Sequence, residues 1–254
     1  MTLSLAGRTL VVTGAGDGVG RGIAIACGTR GAYVVVASPR ENGAETAGLV
    51  TEAGGTADWI RCDVTERTDV EAAVAKAVAK AGRLDAMVHN ATSRRSSEPV
   101  RLEEVDAELW REHAGVSLRG AYLCAQSALT ALRATAGSLV LMTSPAGMEG
   151  SRMLPVYSVV KGAIRGFTKS LAREWGPLGV RVNAVSPLAL TPAIEHAIEA
   201  DPPLADRLAR RVPLGRVGDA ATDVGAVVAF LVSDAARYIT GQTVVVDGGR
   251  FMGL

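Results

Sequence analysis

The sequence predicts a single-domain α/β fold: a doubly wound, seven-stranded parallel sheet with helices on both faces. Short β-branched runs alternate with longer Ala-rich segments along the whole chain. The runs are continuously apolar rather than alternating, which is the pattern of strands covered on both faces. The first run opens directly onto a cluster of glycines that leads into a helical segment.

The elements follow in order. The strand runs are "TLVVTG" from residue 9, "YVVVA" from 33, a weaker "ADWIR" from 57, "DAMVHN" from 85, "SLVLMTS" from 138, "VRVNAVS" from 180 and "TVVVDGG" from 243. Between them the chain has helical period over roughly 19–30, 41–53, 66–80, 106–134, 156–175 and 220–233. In the third of these, Val70, Val74, Ala77 and Val78 form one apolar stripe. Strict alternation of strand and helix implies right-handed crossovers and hence a parallel sheet. Residues 188–218 are less regular, carrying Pro192, Pro202, Pro203 and Pro213, and read as a lid-like insertion over a site. With 254 residues and no linker-like stretch, one domain spanning 1–254 is expected.

Composition narrows the partners. Lys+Arg 27 against Asp+Glu 26 leaves a net charge of +1, too weak a field to grip nucleic acid or an anionic membrane. No apolar stretch approaches the roughly 20 residues of a membrane helix. The first strand begins by Arg8, too early for a signal peptide, so a cytoplasmic location is expected. Cys27, Cys62 and Cys124 are widely spaced in apolar surroundings and read as buried thiols. With His89, His113 and His196 scattered, no metal site is expected.

"TGAGDGVG", Thr13 to Gly20, joins the first strand to the first helix. Glycines there allow a tight turn and a close approach of backbone to a pyrophosphate at the helix N-terminus. Gly14, Asp17, Gly18, Val19 and Gly20 are therefore candidate contacts to a dinucleotide in a Rossmann fold. The second strand ends "VVVASPR". Ser38 stands where an Asp would signal NAD, and Arg40 is placed to face the 2′-phosphate of NADP. Asp17 opposes that phosphate electrostatically, so both cofactors stay open, with a lean to NADP.

"YSVVK" places Tyr157 and Lys161 four residues apart, on one helix face. A phenol titrates near 10, and a fixed ammonium beside it favours the phenolate. Such a pair can pass a proton to or from a carbonyl oxygen while hydride moves at carbon. Taken alone, a Tyr–Lys pair is ordinary on a surface helix. Here it follows a strand ending in Ser144, whose hydroxyl can bond the same oxygen at the ligand-binding edge of the sheet.

In combination these residues resemble the classical short-chain dehydrogenase/reductase family, 3-oxoacyl-reductase-like members included. The likeness covers nearly the whole chain: the glycine turn, Ser144 thirteen residues before Tyr157, Lys161, "NAVSP" from 183 and "GQTVVVDGG" from 241 match in order and spacing. The resemblance implies Ser144, Tyr157 and Lys161 as catalytic, with Tyr157 and Lys161 also touching the cofactor. It implies an adenine contact at Asp63 and Val64, cofactor contacts at Asn90, Ala91 and Pro187, and a nicotinamide-amide contact at Thr191. A homotetramer or homodimer, paired through the helices at 106–134 and 156–175, is implied too.

There are departures. The family's "NNAG" is "HNAT" from residue 89, its catalytic Asn falls on Ser117, and its "PG" is Pro187–Leu188. His89 reads as a packed replacement for an Asn, and Ser117 as a less rigid anchor for a relay water. Arg94 and Arg95 belong either to a solvated loop or to a site for an acidic substrate or acyl carrier. Met148, Met153 and Leu154, between Ser144 and Tyr157, suggest an apolar pocket wall. Two functions remain open: an NAD(P)-dependent oxidoreductase interconverting ketone and secondary alcohol, or a weakly active or non-catalytic dinucleotide-sensing or scaffold protein on the same fold.

Overall fold

A computed structural model describes residues 3–252. In chain order the principal elements are β1 (Thr9–Thr13), α1 (Gly18–Gly28), β2 (Tyr33–Ser38), α2 (Asn42–Glu52), β3 (Thr56–Arg61), α3 (Arg67–Ala81) and β4 (Ala86–His89). There follow α4 (Ala107–His113), α5 (Gly120–Thr135), β5 (Ser138–Met142), α6 (Ala146–Glu149), α7 (Pro155–Trp175) and β6 (Arg181–Pro187). The chain continues with α8 (Pro192–Ala200), α9 (Pro203–Ala209), α10 (Ala226–Val232) and β7 (Thr243–Val246). The strands form one seven-stranded sheet in the order β3-β2-β1-β4-β5-β6-β7. Every pairing is parallel.

The uninterrupted apolar runs have a direct explanation. Side chains alternate across a strand, so Val11, Val35, Met87 and Leu139 enter the core beneath α3, α5 and α7. Their neighbours Leu10, Val12, Val36 and Val140 enter the opposite core with Ile23, Val50 and Val228. Both faces are dry, so both parities must be apolar. The ends of α3 and α4 are set locally. Gly82, at φ 70°, closes α3, and the Asp106 carboxylate accepts from the Leu109 amide at 2.7 Å to start α4.

Two helical expectations are modified. The long helix read over 106–134 is broken by a π-helical stretch at Ala114–Arg119, and the last helix opens with another at Ala220–Gly225. Helical period marks apolar positions but is nearly blind to one extra residue in a turn. The second stretch lies against α1, where a Cβ on Gly22 would come within 2.4 Å of Ala220. The 188–218 region contains α8 and α9, and a parallel bridge between Ala189 and Gly218 ties its ends. Among the described residues no helix is long and apolar enough to cross a membrane.

Candidate active site

Connections leave β1 toward one edge of the sheet and β4 toward the other, so the loops after these two neighbours diverge and open a crevice. The glycine turn and the β4 loop form its floor. A Cβ on Gly14 would lie 2.6 Å from the Cα of Ala91, and Asn90 donates its side-chain amide to the Gly14 carbonyl at 2.9 Å. A cavity of about 710 Å³ runs along this crevice, from Asp17 and Arg40 at one end to Ser144, Tyr157 and Lys161. Its volume, glycine-lined floor and helix N-terminus fit a dinucleotide.

Most of the expected cofactor contacts line it: Gly14, Asp17, Gly18, Val19, Ser38, Arg40, Val64, Asn90, Ala91, Pro187 and Thr191. Gly20 and Asp63 do not. Gly20 is a packing residue, since a Cβ there would sit 2.3 Å from the Gly14 carbonyl oxygen. Asp63 turns its carboxylate to the Thr65 amide and hydroxyl at 2.9 and 2.7 Å. At the Arg40 end, Arg40 and Asp17 pair at 3.6 Å, and both side chains are about half exposed (52% each). Asn42, which pattern reading passed over, joins this group: it accepts from the Ser38 hydroxyl at 3.1 Å and donates to Asp17 at 3.4 Å.

Pro155 at the first helical position starts α7 and places Tyr157 in the first turn with Lys161 one turn on. The Thr143 hydroxyl, just past β5, donates to the Lys161 carbonyl at 2.7 Å and fixes the helix to the sheet edge. The Lys161 ammonium is buried, donates to the Met142 carbonyl at 3.0 Å and lies 5.6 Å from the Tyr157 ring centroid. Burial pulls Lys161 down to about 8. The four-residue spacing predicts that this ammonium lowers the Tyr157 phenol. Instead burial raises the phenol above its ordinary value, with the Ser144 hydroxyl acting in the opposite direction. The physical reason is desolvation, which penalises the phenolate more than its neighbours favour it.

Two departures from the family pattern meet in space. His89 is 2% exposed, with Nδ1 3.1 Å from the Thr13 hydroxyl and Nε2 3.1 Å from the Ser117 carbonyl. A carbonyl only accepts, so Nε2 carries the proton and Nδ1 accepts from Thr13. Burial pushes this imidazole down to about 3. Thr92 pairs with the Ser117 hydroxyl at 3.2 Å. Ser117 is buried within the first π-helical stretch, its carbonyl on His89 and its hydroxyl on Thr92, and contrary to expectation it is not among the residues lining the cavity. His113, the last residue of α4, lies edge-on to Tyr157, centroids 6.4 Å apart.

The β4 loop supplies wall residues that sequence reading did not assign. Ser93 is buried and donates to Glu112 at 2.6 Å, which carries the loop onto α4. No spacing rule links residues nineteen apart in a loop and a helix. Met148, Met153 and Leu154 are absent from the wall. Met153 has φ 66° and instead uses its carbonyl to accept from Val100 at 2.7 Å.

Comparison with known proteins agrees with this geometry. Residues 14–250 match the family model described as enoyl-(acyl carrier protein) reductase. The chain is 36% identical to the 2,5-dichloro-2,5-cyclohexadiene-1,4-diol dehydrogenase of Sphingobium indicum, covering 96% of this chain and 97% of that one. It is also 36% identical to the cis-4-hydroxycyclohexanecarboxylate dehydrogenase of Sinomonas cyclohexanicum, over 97% of each. A solved structure described as an NAD(P)-dependent gluconate 5-dehydrogenase of Beutenbergia cavernae, with bound NADP, superposes with a TM-score of 0.87 at 35% identity over 98% of both chains. The chain belongs to the classical short-chain dehydrogenase/reductase family of NAD(P)-dependent oxidoreductases.

Proposed function

We propose that this chain interconverts a small ketone and its secondary alcohol, with NADP preferred over NAD. The observation that carries this reading is the convergence of Ser144, Tyr157 and Lys161 on one end of a cavity whose other end is the glycine turn. The bound dinucleotide supplies hydride exchange. Ser144 donates a hydrogen bond to the reacting oxygen, and Tyr157 gives that oxygen a proton in reduction or takes one in oxidation. Lys161 holds positive charge beneath the Tyr157 ring and binds ribose hydroxyls. Burial that raises the phenol keeps it protonated at neutral pH, which suits the reductive direction.

The substrate class widens beyond the 3-oxoacyl compounds implied by resemblance, because two relatives are named for hydroxy acids and one for a ring diol. Ring and chain hydroxy acids are therefore included. The 188–218 segment acts as the lid, since Leu188, Thr191 and Ile194 face the cavity. A second copy packs on the α4–α5/α7 face, where Trp110, Tyr122 and Val159 are exposed. Cytoplasmic location completes the reading.

The test is Tyr157→Phe. Reductase activity falls by about 10²- to 10⁴-fold while NADPH binding persists. Full activity in that variant would refute the chemistry. NADPH binding by a wild-type chain that turns over no ketone or alcohol would favour the dinucleotide-sensing alternative.

A further inference from the structure

We propose that Arg94 binds a carboxylate on the substrate, so that the compound turned over is a small oxo or hydroxy acid; this rests on Tyr157 marking the reacting end. Five charged side chains reach the cavity wall: Asp17, Arg40, Arg94, Glu112 and Lys161. Four are engaged. Asp17 and Arg40 pair with each other at the far end. Lys161 is buried on the Met142 carbonyl, and Glu112 accepts from Ser93. Arg94 has no hydrogen bond or ion pair among the described residues, although its neighbour in sequence is fully used.

That contrast is built into the loop. Arg95 grips Glu98 through two nitrogens, at 2.7 and 3.3 Å, and its amide donates to the buried Ser93 hydroxyl at 3.0 Å. Ser93 in turn is fixed to Glu112. With Arg95 and Ser93 holding the backbone, Arg94 between them is exposed and lines the cavity. The loop also flanks the reacting end: Glu112 precedes His113, which stacks edge-on to Tyr157, and Val100 bonds Met153 in the segment leading to that tyrosine. A guanidinium there offers the paired donors that match a carboxylate. Glu112 lines the same wall with its carboxylate occupied by the Ser93 hydroxyl, which leaves the Arg94 guanidinium as the unengaged charge there.

The experiment uses the full chain with NADPH and two matched pairs: 4-oxocyclohexanecarboxylate with its methyl ester, and 4-oxopentanoate with its methyl ester. In the wild type kcat/KM for acid exceeds that for ester by about tenfold or more, and the preference shrinks with added salt. In Arg94→Gln the acid-to-ester ratio collapses toward one, and Arg94→Lys recovers part of it. Equal use of acid and ester by the wild type, or an unchanged ratio in Arg94→Gln, would overturn the proposal. So would strong preference for an acyl-carrier-bound thioester over both members of each pair. If neither pair is reduced, binding of each acid to the protein–NADPH complex is read by quenching of NADPH fluorescence. Weaker acid binding in Arg94→Gln supports the carboxylate site even if the chemistry assigned to Tyr157 fails, and equal binding sinks it.

Discussion

Replacing His89 by Leu tests how far a single buried imidazole organises this site. The volume is nearly kept, but both hydrogen bonds go. Thr13 has a fallback, since its hydroxyl also lies 3.5 Å from the Val88 carbonyl. The Ser117 carbonyl loses its imidazole partner in a dry setting, which costs about 1–3 kcal/mol, and the lost bond at Thr13 adds about 1. The expected destabilisation near pH 7 is therefore about 2–4 kcal/mol, a fall in Tm of about 5–15 °C for a domain of this size.

The pH dependence gives a sharper signature. His89 titrates near 3 in the folded chain and near 6.5 when unfolded. Between those values the unfolded chain binds the extra proton, so stability is lost as pH falls below about 6.5. From pH 7 to pH 5 that loss is about 2 kcal/mol for the wild type, and His89→Leu is spared it. The gap between the two proteins accordingly shrinks to about 0–2 kcal/mol at pH 5. His113, also held below its ordinary value by burial, is common to both and cancels. Chemical denaturation from pH 5 to 7.5 measures the gap directly. Parallel stability profiles, or an unchanged Tm at pH 7, would refute the locked-imidazole account.

Two further outcomes concern the cofactor and the assembly. Arg40→Ala weakens NADPH binding by about tenfold with little change for NADH, whereas Asp17→Asn frees Arg40 and strengthens NADPH binding, both read by fluorescence titration. The opposite ordering would assign NAD as the preferred cofactor. Trp110→Glu places a charge on the exposed apolar face of α4, and light scattering should show dissociation of the proposed dimer or tetramer. A wild-type chain that is monomeric at micromolar concentration would remove that face from consideration.

How much of this was legible in the sequence depended on the range of the interaction involved. Strand runs, helix periods and the parallel sheet follow from local burial: a strand dry on both faces needs apolar residues at both parities, and that is visible in "TLVVT" or "YVVVA". Tyr157, Lys161 and Ser144 were legible for a similar reason, since helical pitch and the strand end set their relation within a short span. The glycine turn was legible as a motif, yet which of its glycines face the cavity was not. Gly14 lines it, whereas Gly20 does not and lets the helix approach the Gly14 carbonyl.

Tertiary structure alone decided the rest. The pairing of Arg40 with Asp17 joins two different crossovers, while the hold of His89 on Ser117 and the engagement of Ser93 with Glu112 fold the long crossover after β4 back on itself. Their partners are chosen by how loops and helices pack at the edge of the sheet, which no local spacing encodes. The phenol of Tyr157 is the plainest case. The sequence placed an ammonium one turn away and so implied an acidified tyrosine, but the depth of the crevice, which no spacing encodes, makes desolvation the larger effect and turns the shift upward.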